Sequence, residues 1–131
     1  MAHKAHDLGI SKNIAKYSDA IEVAPGVRWL FTAGTPGMSE AGELPTGIEA
    51  QSRAAWANIL TALTKANMEL QDLVKVNTTL TNTADIATYA KVRAEIVGDA
   101  RPAFMMQVVN QMIRPDILVE IEVIAARADD R

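Results

Sequence analysis

Two acidic residues, Glu120 and Glu122, interrupt an otherwise apolar stretch near the C-terminus, LVEIEVIAA. The residues around them alternate in a way that predicts a strand with one buried face. On such a strand both carboxylates project from the same face, about 7 Å apart. They can face water, a partner subunit or a substrate, and beside a substrate a carboxylate can act as a general base.

The chain offers few other groups for acid–base or metal chemistry. It has no cysteine, and its two histidines, His3 and His6, lie close to the N-terminus. Disulfides, thiolate chemistry and cysteine-based metal sites are therefore excluded. We expect about residues 1–14 to be a flexible or edge segment, and we predict no metal site there. General acid–base work then falls to Glu, Asp, Lys or Tyr.

Composition predicts a single soluble globular domain over residues 1–131. Apolar residues make up 49% of the chain and charged residues 22%, which is typical of soluble domains. The net charge of −3 and the lack of a basic stripe argue against nucleic-acid binding. No apolar run has the length of a signal peptide or of a membrane span. We therefore expect a cytoplasmic protein that does not bind membranes.

Hydrophobic periodicity and turn residues predict seven elements in the order β-β-α-β-α-β-β. The predicted strands are Ala20–Ala24, Val27–Thr32, Leu73–Leu80, Ala103–Val109 and Leu118–Ala126, and the predicted helices are Thr46–Asn67 and Thr83–Val97. Thr46 and Glu49 have the spacing of a capping box, and Asn67 suits a left-handed helix end. Trp56 is predicted to be a core aromatic of the first helix rather than a ligand platform.

Two helices on one face of a mixed β-sheet are the simplest α+β arrangement for this order of elements. A single sheet that is covered on one side leaves its other face open. Five residues are candidates for that open face: Thr78, Met106, Val108, Glu120 and Glu122. Symmetric oligomerisation is the usual way to cover such a face.

Three stretches of the sequence carry a resemblance to a known family. They are WLFTAGTPG at Trp29–Gly37, the run from Gln51 to Asn82, and RPAFMMQVVNQMIRPDILVEIEVIAA at Arg101–Ala126. Together they resemble the reactive intermediate deaminase family, the Rid or YjgF-like proteins. The last stretch is the most specific, because a PA pair is followed by a strand that ends EIE-x-IA.

The resemblance implies a chorismate-mutase-like fold and a homotrimer whose sheets line a central barrel. Ligand clefts would lie between adjacent subunits. The activity it implies is hydrolysis of enamine and imine intermediates, such as 2-aminoacrylate, to a 2-oxo acid and ammonia. That reaction needs neither a cofactor nor a metal in the family. An implied trimer agrees with the uncovered sheet face.

Roles for single positions follow from the same resemblance. Glu120 matches the family glutamate that orders or activates water, and Tyr17 matches a tyrosine that reaches the ligand. Gly34 matches the glycine after the second strand, where backbone groups approach the ligand. Ala33 and Thr35 flank that glycine and are taken as substrate-binding candidates with it.

Four positions depart from the deaminase pattern. Ala33 stands where the family usually has serine, Ala90 where it often has asparagine, and Met106 at the usual cysteine position. Phe104 replaces the arginine of a P-A-R motif, whose two-pronged contact holds the substrate carboxylate. Without that arginine the carboxylate would be unpaired at considerable cost, unless Arg101, which precedes the proline, compensates.

The sequence leaves three functions open. The first is a hydrolase or deaminase acting on an enamine, imine or similarly activated C–N bond of a substrate larger or less carboxylate-dependent than 2-aminoacrylate. The alternative is a non-catalytic trimer that binds a small metabolite, which the departures at Ala33, Ala90 and Phe104 favour. A pure assembly protein is the third, although the mixed charges of the helices, Arg93 among them, indicate ordinary solvated surfaces. Ribonuclease activity, described for some family members, is not supported by an acidic chain.

Overall fold

The computed structural model describes residues 3–129, and this range contains six strands and two α-helices. The strands are β1 (His3–His6), β2 (Ala20–Val23), β3 (Val27–Phe31), β4 (Leu73–Leu80), β5 (Ala103–Val108) and β6 (Val119–Ala128), and the helices are α1 (Ile48–Lys65) and α2 (Ile86–Val97). The predicted order of elements is confirmed from β2 onward. Residues 1, 2, 130 and 131 of the predicted domain lie outside the described range.

The N-terminal segment forms a small sheet of its own. β1 pairs antiparallel with β2, and His3 lies opposite Val23. His3 Nε2 is 2.9 Å from the carbonyl oxygen of Ala126, while His6 Nε2 is 2.8 Å from a carboxylate oxygen of Glu22. Residues 3–6 therefore form one strand of a two-stranded sheet.

The other four strands form a mixed sheet in the order β3-β6-β4-β5. β6 is antiparallel to both β3 and β4, whereas β4 and β5 are parallel and are joined through α2, as a parallel pair requires. Both helices pack on one face of the sheet. The core between them contains Trp56, Ile59, Leu63, Tyr89, Val92, Val97, Val76, Leu80, Val119, Ile121, Val123 and Ala125. The predicted α+β class, with two helices on one face of a mixed sheet, is confirmed, and Trp56 is a core residue as predicted.

Three residues that were expected on the open face lie on the helix-covered face instead. Thr78 is buried, and its hydroxyl is 2.5 Å from the phenol oxygen of Tyr89 on α2. Met106 and Val108 are the parallel partners of Thr78 and Leu80, and registered partners project from the same face. The prediction was wrong for Thr78, because the alternation of β4 places it on the same buried face as Val76 and Leu80. It was also wrong for Met106 and Val108, because the sequence alone did not give the register of β5 on β4.

Glu120 and Glu122 do lie on the open face. They are opposite Thr79 and Asn77 of β4, which alternate with the buried residues of that strand. The other face of their strand is fully buried: it carries Val119, Ile121, Val123 and Ala125, which all belong to the core on the helix-covered side of the sheet. The alternation in the sequence therefore predicted correctly which residues of β6 face away from the core.

An aromatic pair covers part of the open face at the outer strand, β3. The rings of Trp29 and Phe31 stack with their centroids 6.0 Å apart and their planes at 26°. Phe31 is opposite Ile124 of β6, so the apolar patch continues onto the next strand. Trp29 is 49% exposed and Phe31 67% exposed, which is unusual for large aromatic side chains on an edge strand.

The helix ends agree with the sequence in part. Asn67 has a φ of 56°, so the predicted left-handed end of the first helix is confirmed. The second helix ends at Val97 as predicted, and Gly98 follows it with a φ of 61° and a ψ of −124°. The predicted cap at Thr46 was wrong, because α1 begins at Ile48 with Gly47 as its N-cap residue and has no side-chain cap. Gly47 has a φ of 90°, and this conformation, which favours glycine, sets the direction in which the chain enters the helix.

The loop between β3 and α1 is fixed against α1 at Gly37. A Cβ atom added there would lie 2.6 Å from the carbonyl oxygen of Gln51 and 2.8 Å from the Cβ atom of Ala54. The amide of Asn58 also donates to the carbonyl oxygens of Pro36 and Met38, at 2.9 and 3.0 Å. The loop therefore has a defined path, although it contains no regular structure.

Gly37→Ala is expected to lower the free energy of unfolding by about 1–3 kcal/mol, because the added methyl group meets helix backbone that cannot move aside. Urea denaturation measures this. Gly34→Ala is the matched control, since residue 34 lies in the same loop but a Cβ atom there meets only a side chain. Equal stability of the two variants would contradict a tight contact at Gly37.

Candidate active site

The loop after β3 stays hydrogen-bonded to β6 but contains one extra residue. Phe31 is opposite Ile124 and Thr35 is opposite Ile121, so four steps along the loop match three along β6. Thr35 and Ile121 exchange both backbone hydrogen bonds, with N···O distances of 2.9 and 3.0 Å. The extra residue is accommodated as a bulge around Gly34, and bulges redirect backbone beside functional groups.

This bulge places Gly34 directly against the side chain of Glu120. A Cβ atom added at residue 34 would lie 2.7 Å from Glu120 Oε1, closer than side-chain carbons approach a neighbouring atom. Ala33 is exposed and Thr35 half-buried beside it, and Thr35 Oγ1 donates to the carbonyl oxygen of Ala33 at 2.9 Å. The structure thus brings together four of the predicted site residues, and we refer to Ala33, Gly34, Thr35 and Glu120 as the glutamate group.

The two glutamates of β6 have different surroundings. Glu120 is half-buried, and within residues 3–129 its carboxylate has no hydrogen-bond or ion-pair partner. Burial raises the pKa of the Glu120 carboxyl above its ordinary value. Glu122 is exposed and accepts a hydrogen bond of 3.1 Å from the side-chain amide of Asn77. Of the two, only Glu120 combines partial burial with an unoccupied carboxylate.

A second group of predicted residues lies at the outer strand, β5. The rings of Tyr17 and Phe104 meet edge to face, with centroids 6.5 Å apart and planes at 82°. Ser18 fixes this contact, because its backbone N–H donates to the carbonyl oxygen of Pro102 at 3.1 Å and its hydroxyl donates to that of Arg101. Tyr17 therefore reaches the start of β5 from the N-terminal segment.

Arg93 joins this second group, although the sequence placed it on a solvated helix face. Its guanidinium carbon is 4.4 Å from the ring centroid of Phe104 and 5.9 Å from that of Tyr89. A signal for this was present in the sequence, since Arg93 follows Tyr89 by four residues and the buried Val92 by one. Residues four apart share a helix face, and Val92 is only one step around the helix, so Arg93 lies at the margin of the buried stripe.

The other predicted residues near β5 have mixed outcomes. Arg101 uses Nη1 to donate to the carbonyl oxygens of Gly98 and Ala100, at 2.7 and 2.9 Å, so this nitrogen is occupied at the end of α2. Met106 packs against the core, and Ala90 is half-buried on α2. We refer to Tyr17, Ala90, Arg93, Arg101, Phe104 and Met106 as the aromatic group.

A single chain does not bring the two groups together. The glutamate group lies on the open face of the sheet at β6, and Glu120 is its centre. Phe104 and Met106 of the aromatic group lie on the helix-covered face at β5. β4 separates β5 from β6 in the sheet. The predicted site residues thus form two separate groups, with Glu120 on one face of the sheet and Phe104 and Met106 on the other.

Over residues 3–129, no cluster of three or more His, Cys, Asp or Glu side chains is arranged to hold a metal ion. In the same range no helix is both long and apolar enough to cross a membrane.

Comparison with known proteins identifies the family. The sequence profile of the family described as Endoribonuclease L-PSP matches residues 10–127 of this chain. The chain belongs to this family. A RutC family protein of Pyrococcus horikoshii is 36% identical over 116 residues, which cover 87% of this chain and 89% of the relative.

The proteins and structures similar to this chain include Rid proteins. TdcF of Escherichia coli, named as a candidate reactive intermediate deaminase, is 26% identical over 102 residues, covering 76% of this chain and 79% of TdcF. The crystal structure of TdcF with bound serine matches with a TM-score of 0.72 at 25% identity, over 88% of this chain and 91% of that one. YyfB of Yersinia pestis, a Rid family protein of unknown function, matches with a TM-score of 0.83 at 27% identity, over 97% of this chain and all of YyfB (100%). The predicted membership of the Rid or YjgF-like family is confirmed.

Proposed function

We propose that this Rid family protein is a deaminase that hydrolyses an enamine, an imine or a similarly activated C–N bond without a cofactor. The observation that carries the proposal is the state of Glu120. Its carboxylate is half-buried, has no partner within residues 3–129, and faces a glycine that leaves space beside it. A carboxyl whose pKa is raised is better matched to accepting a proton near neutral pH.

The reaction needs one water molecule and one site that moves protons. Water adds to the imine carbon while the Glu120 carboxylate accepts a proton from it, so that a C–O bond forms. The carboxyl then returns this proton to the nitrogen of the tetrahedral intermediate. The proton of the new hydroxyl then passes through the same carboxylate to the nitrogen as the C–N bond breaks and the C=O bond forms. Ammonia leaves and a 2-oxo product remains, which balances the addition of one water; an enamine enters this sequence as its imine tautomer.

We propose a homotrimer as the active form, with the substrate bound between subunits. The glutamate group of one subunit would face the aromatic group of its neighbour, which explains why one chain holds them on opposite faces. The exposed pair of Trp29 and Phe31 supports this assembly, because an apolar patch on an outer strand favours contact with another chain. The serine bound to TdcF supports a small amino-acid-like ligand for this fold.

A non-catalytic trimer that binds a small metabolite is the second candidate. Phe104 favours it, because an apolar ring occupies the position of the arginine that deaminases use to hold a carboxylate. Ala33 and Ala90 likewise replace polar residues of the deaminase pattern. Both candidates require the same cleft, and they differ only in whether the ligand is turned over.

The test is ammonia release from freshly generated 2-imino acids, both small and aromatic, followed over several turnovers per cleft. We expect release well above the uncatalysed rate for at least one substrate. A stable 2-oxo acid should raise the melting temperature by mass action whether the protein is an enzyme or a binder. Thermal stabilisation without ammonia release would overturn the deaminase proposal and support the binding protein.

Gly34→Ala is expected to lower kcat/KM for ammonia release about tenfold to a hundredfold, because the methyl group displaces the carboxylate of Glu120 from its position. The melting temperature should stay close to that of the wild type, since the contacted atom is the movable end of a side chain. The ammonia assay and a thermal melt measure these two quantities. Unchanged turnover would show that the position of the Glu120 carboxylate does not matter for the reaction.

A further inference from the structure

The guanidinium of Arg93 is held in place without any anionic partner. It lies over the ring of Phe104, with the guanidinium carbon 4.4 Å from the ring centroid, and the side chain is half-buried. Within residues 3–129 it makes no ion pair, and no hydrogen bond involves its nitrogen atoms. A guanidinium carries five N–H donors, and among the described residues none of the Arg93 nitrogens is a buried atom without a partner, so these donors stay accessible from outside the chain. Such a group is suited to receive an anion from outside the chain.

The surroundings of Arg93 are positively charged. It lines a cavity of about 480 Å³ between α2 and the start of β5. Lys16 and Arg101 line the same cavity, and Asp99 is the acidic residue of the lining. This local excess of positive charge stands in contrast to the net charge of −3 for the whole chain. A small anion entering the cavity would therefore be attracted to it.

The rest of the cavity wall is apolar. Phe104 lines it together with Ala94 and Val97 of α2, and Tyr17 packs edge-on against the Phe104 ring. An apolar wall beside a cation suits a ligand that has a charged end and an apolar body.

We propose that Arg93 anchors the carboxylate of the substrate, and that the substrate is a 2-imino or 2-enamino acid with an aromatic or bulky apolar side chain. This inference rests on the proposed deaminase function and names its substrate class. A guanidinium stacked on a ring keeps its N–H edge available, and that edge matches a carboxylate with two parallel hydrogen bonds. The anchoring arginine then comes from α2 instead of β5, and Phe104 serves as the platform that orients it.

Arg101, the residue that the sequence offered as a substitute anchor, is less suited to this role. One of its terminal nitrogens already donates to the carbonyl oxygens of Gly98 and Ala100. Arg93 has no such competing bonds, so its donors are available to a ligand. Lys16 would add attraction without a defined geometry, because an ammonium group has no fixed fork of donors.

Equilibrium binding tests the anchor without requiring turnover. The probes are phenylpyruvate, its uncharged ethyl ester, pyruvate and inorganic phosphate, titrated calorimetrically into the assembled wild type, Arg93→Met and Lys91→Met. Arg93→Met keeps an apolar chain over the ring and removes the charge, and Lys91→Met removes a charge from an exposed position of the same helix. We expect Kd for phenylpyruvate to rise about tenfold to a hundredfold in Arg93→Met only, with little change for the ester. Pyruvate should bind more weakly than phenylpyruvate to the wild type.

Several results would overturn the anchor. Arg93→Met could lose the same affinity for the acid and for the ester, or Lys91→Met could lose as much affinity for phenylpyruvate as Arg93→Met does. The wild type could bind inorganic phosphate more tightly than phenylpyruvate, or it could fail to bind phenylpyruvate. The ammonia assay separates this inference from the proposed function. Release that is unchanged in Arg93→Met would refute the anchor and keep the deaminase. Arg93-dependent binding of phenylpyruvate without any ammonia release would refute the deaminase and keep the anchor.

Discussion

Glu120→Gln is expected to lower kcat/KM for ammonia release by about 10²–10⁴-fold, which is the usual contribution of a positioned general base. Glutamine keeps the size and the hydrogen-bonding oxygen of the side chain but cannot accept a proton from water. Gly34 leaves the same space for it, so no clash is introduced. Steady-state ammonia release at saturating and limiting substrate measures the loss.

The pH dependence of the wild type should point to the same residue. Turnover requires the ionised carboxylate, so activity should rise as the pH increases through the raised pKa of Glu120. The midpoint of this acid limb should lie above the ordinary pKa of a glutamate, and the limb should be absent from the residual activity of Glu120→Gln.

The free energy of unfolding should fall as the pH rises through the same range, whereas the activity should rise. Because the pKa of Glu120 is raised in the folded state, the folded chain binds more protons than the unfolded chain between the ordinary and the raised pKa. The stabilisation that this provides is complete below the ordinary pKa and is lost as the pH rises through the raised value. Glu120→Gln removes this dependence, so it should be no less stable than the wild type at neutral pH.

Glu122→Gln is the matched control, since it makes the same change two residues along the same strand. Its carboxylate is exposed and accepts a hydrogen bond from Asn77, so its removal should leave turnover within about twofold. If the two variants lost activity equally, or if Glu120→Gln remained fully active, Glu120 would not be the general base.

The sequence predicted the elements well where period and turn residues agreed. The alternation of β4 and β6, the helical stripe around Trp56, and the stops at Asn67 and Gly98 are all local properties. Each of these features depends only on residues that are close together in the chain, so hydrophobic periodicity and turn residues can detect them. The open face of the sheet followed from the same alternation, which is why Glu120 was placed correctly.

The features that could not be predicted from the sequence depend on the register between segments that are distant in the chain. Met106 and Val108 were assigned to the wrong face, because the face of β5 is fixed only when it pairs with β4. The contact between Gly34 and Glu120 depends on one extra loop residue opposite β6, which no local pattern reveals.

The role of Arg93 was missed for a related reason. A charged residue at the margin of a helical stripe is usually solvated, and only the tertiary contact with Phe104 makes it a candidate for ligand binding. The same contact gives a reason for the aromatic residue at position 104, which the sequence could describe only as the loss of an arginine.

Phe31→Glu is expected to convert the proposed trimer to monomers of 14.1 kDa and to abolish ammonia release. Phe31 is 67% exposed on the outer strand and stacks on Trp29, so the proposed interface would bury both rings. Burying a Phe side chain contributes about 1.5–3 kcal/mol per subunit, and a glutamate would replace this gain with the cost of burying a charge. Sedimentation equilibrium measures the mass, and the ammonia assay measures the activity.

The loss of activity in Phe31→Glu would identify the cleft as one that needs two subunits. Phe31 belongs to neither the glutamate group nor the aromatic group, so a catalytic chain that worked alone would keep its activity after this replacement. Leu8→Glu is the matched control, because Leu8 is 65% exposed and lies outside the four-stranded sheet. That variant should remain trimeric and active. An active monomeric wild type, or a monomeric Phe31→Glu with full activity, would show instead that Glu120 works within its own subunit. Because β4 separates the glutamate group from the aromatic group, the aromatic group would then take no part in the reaction.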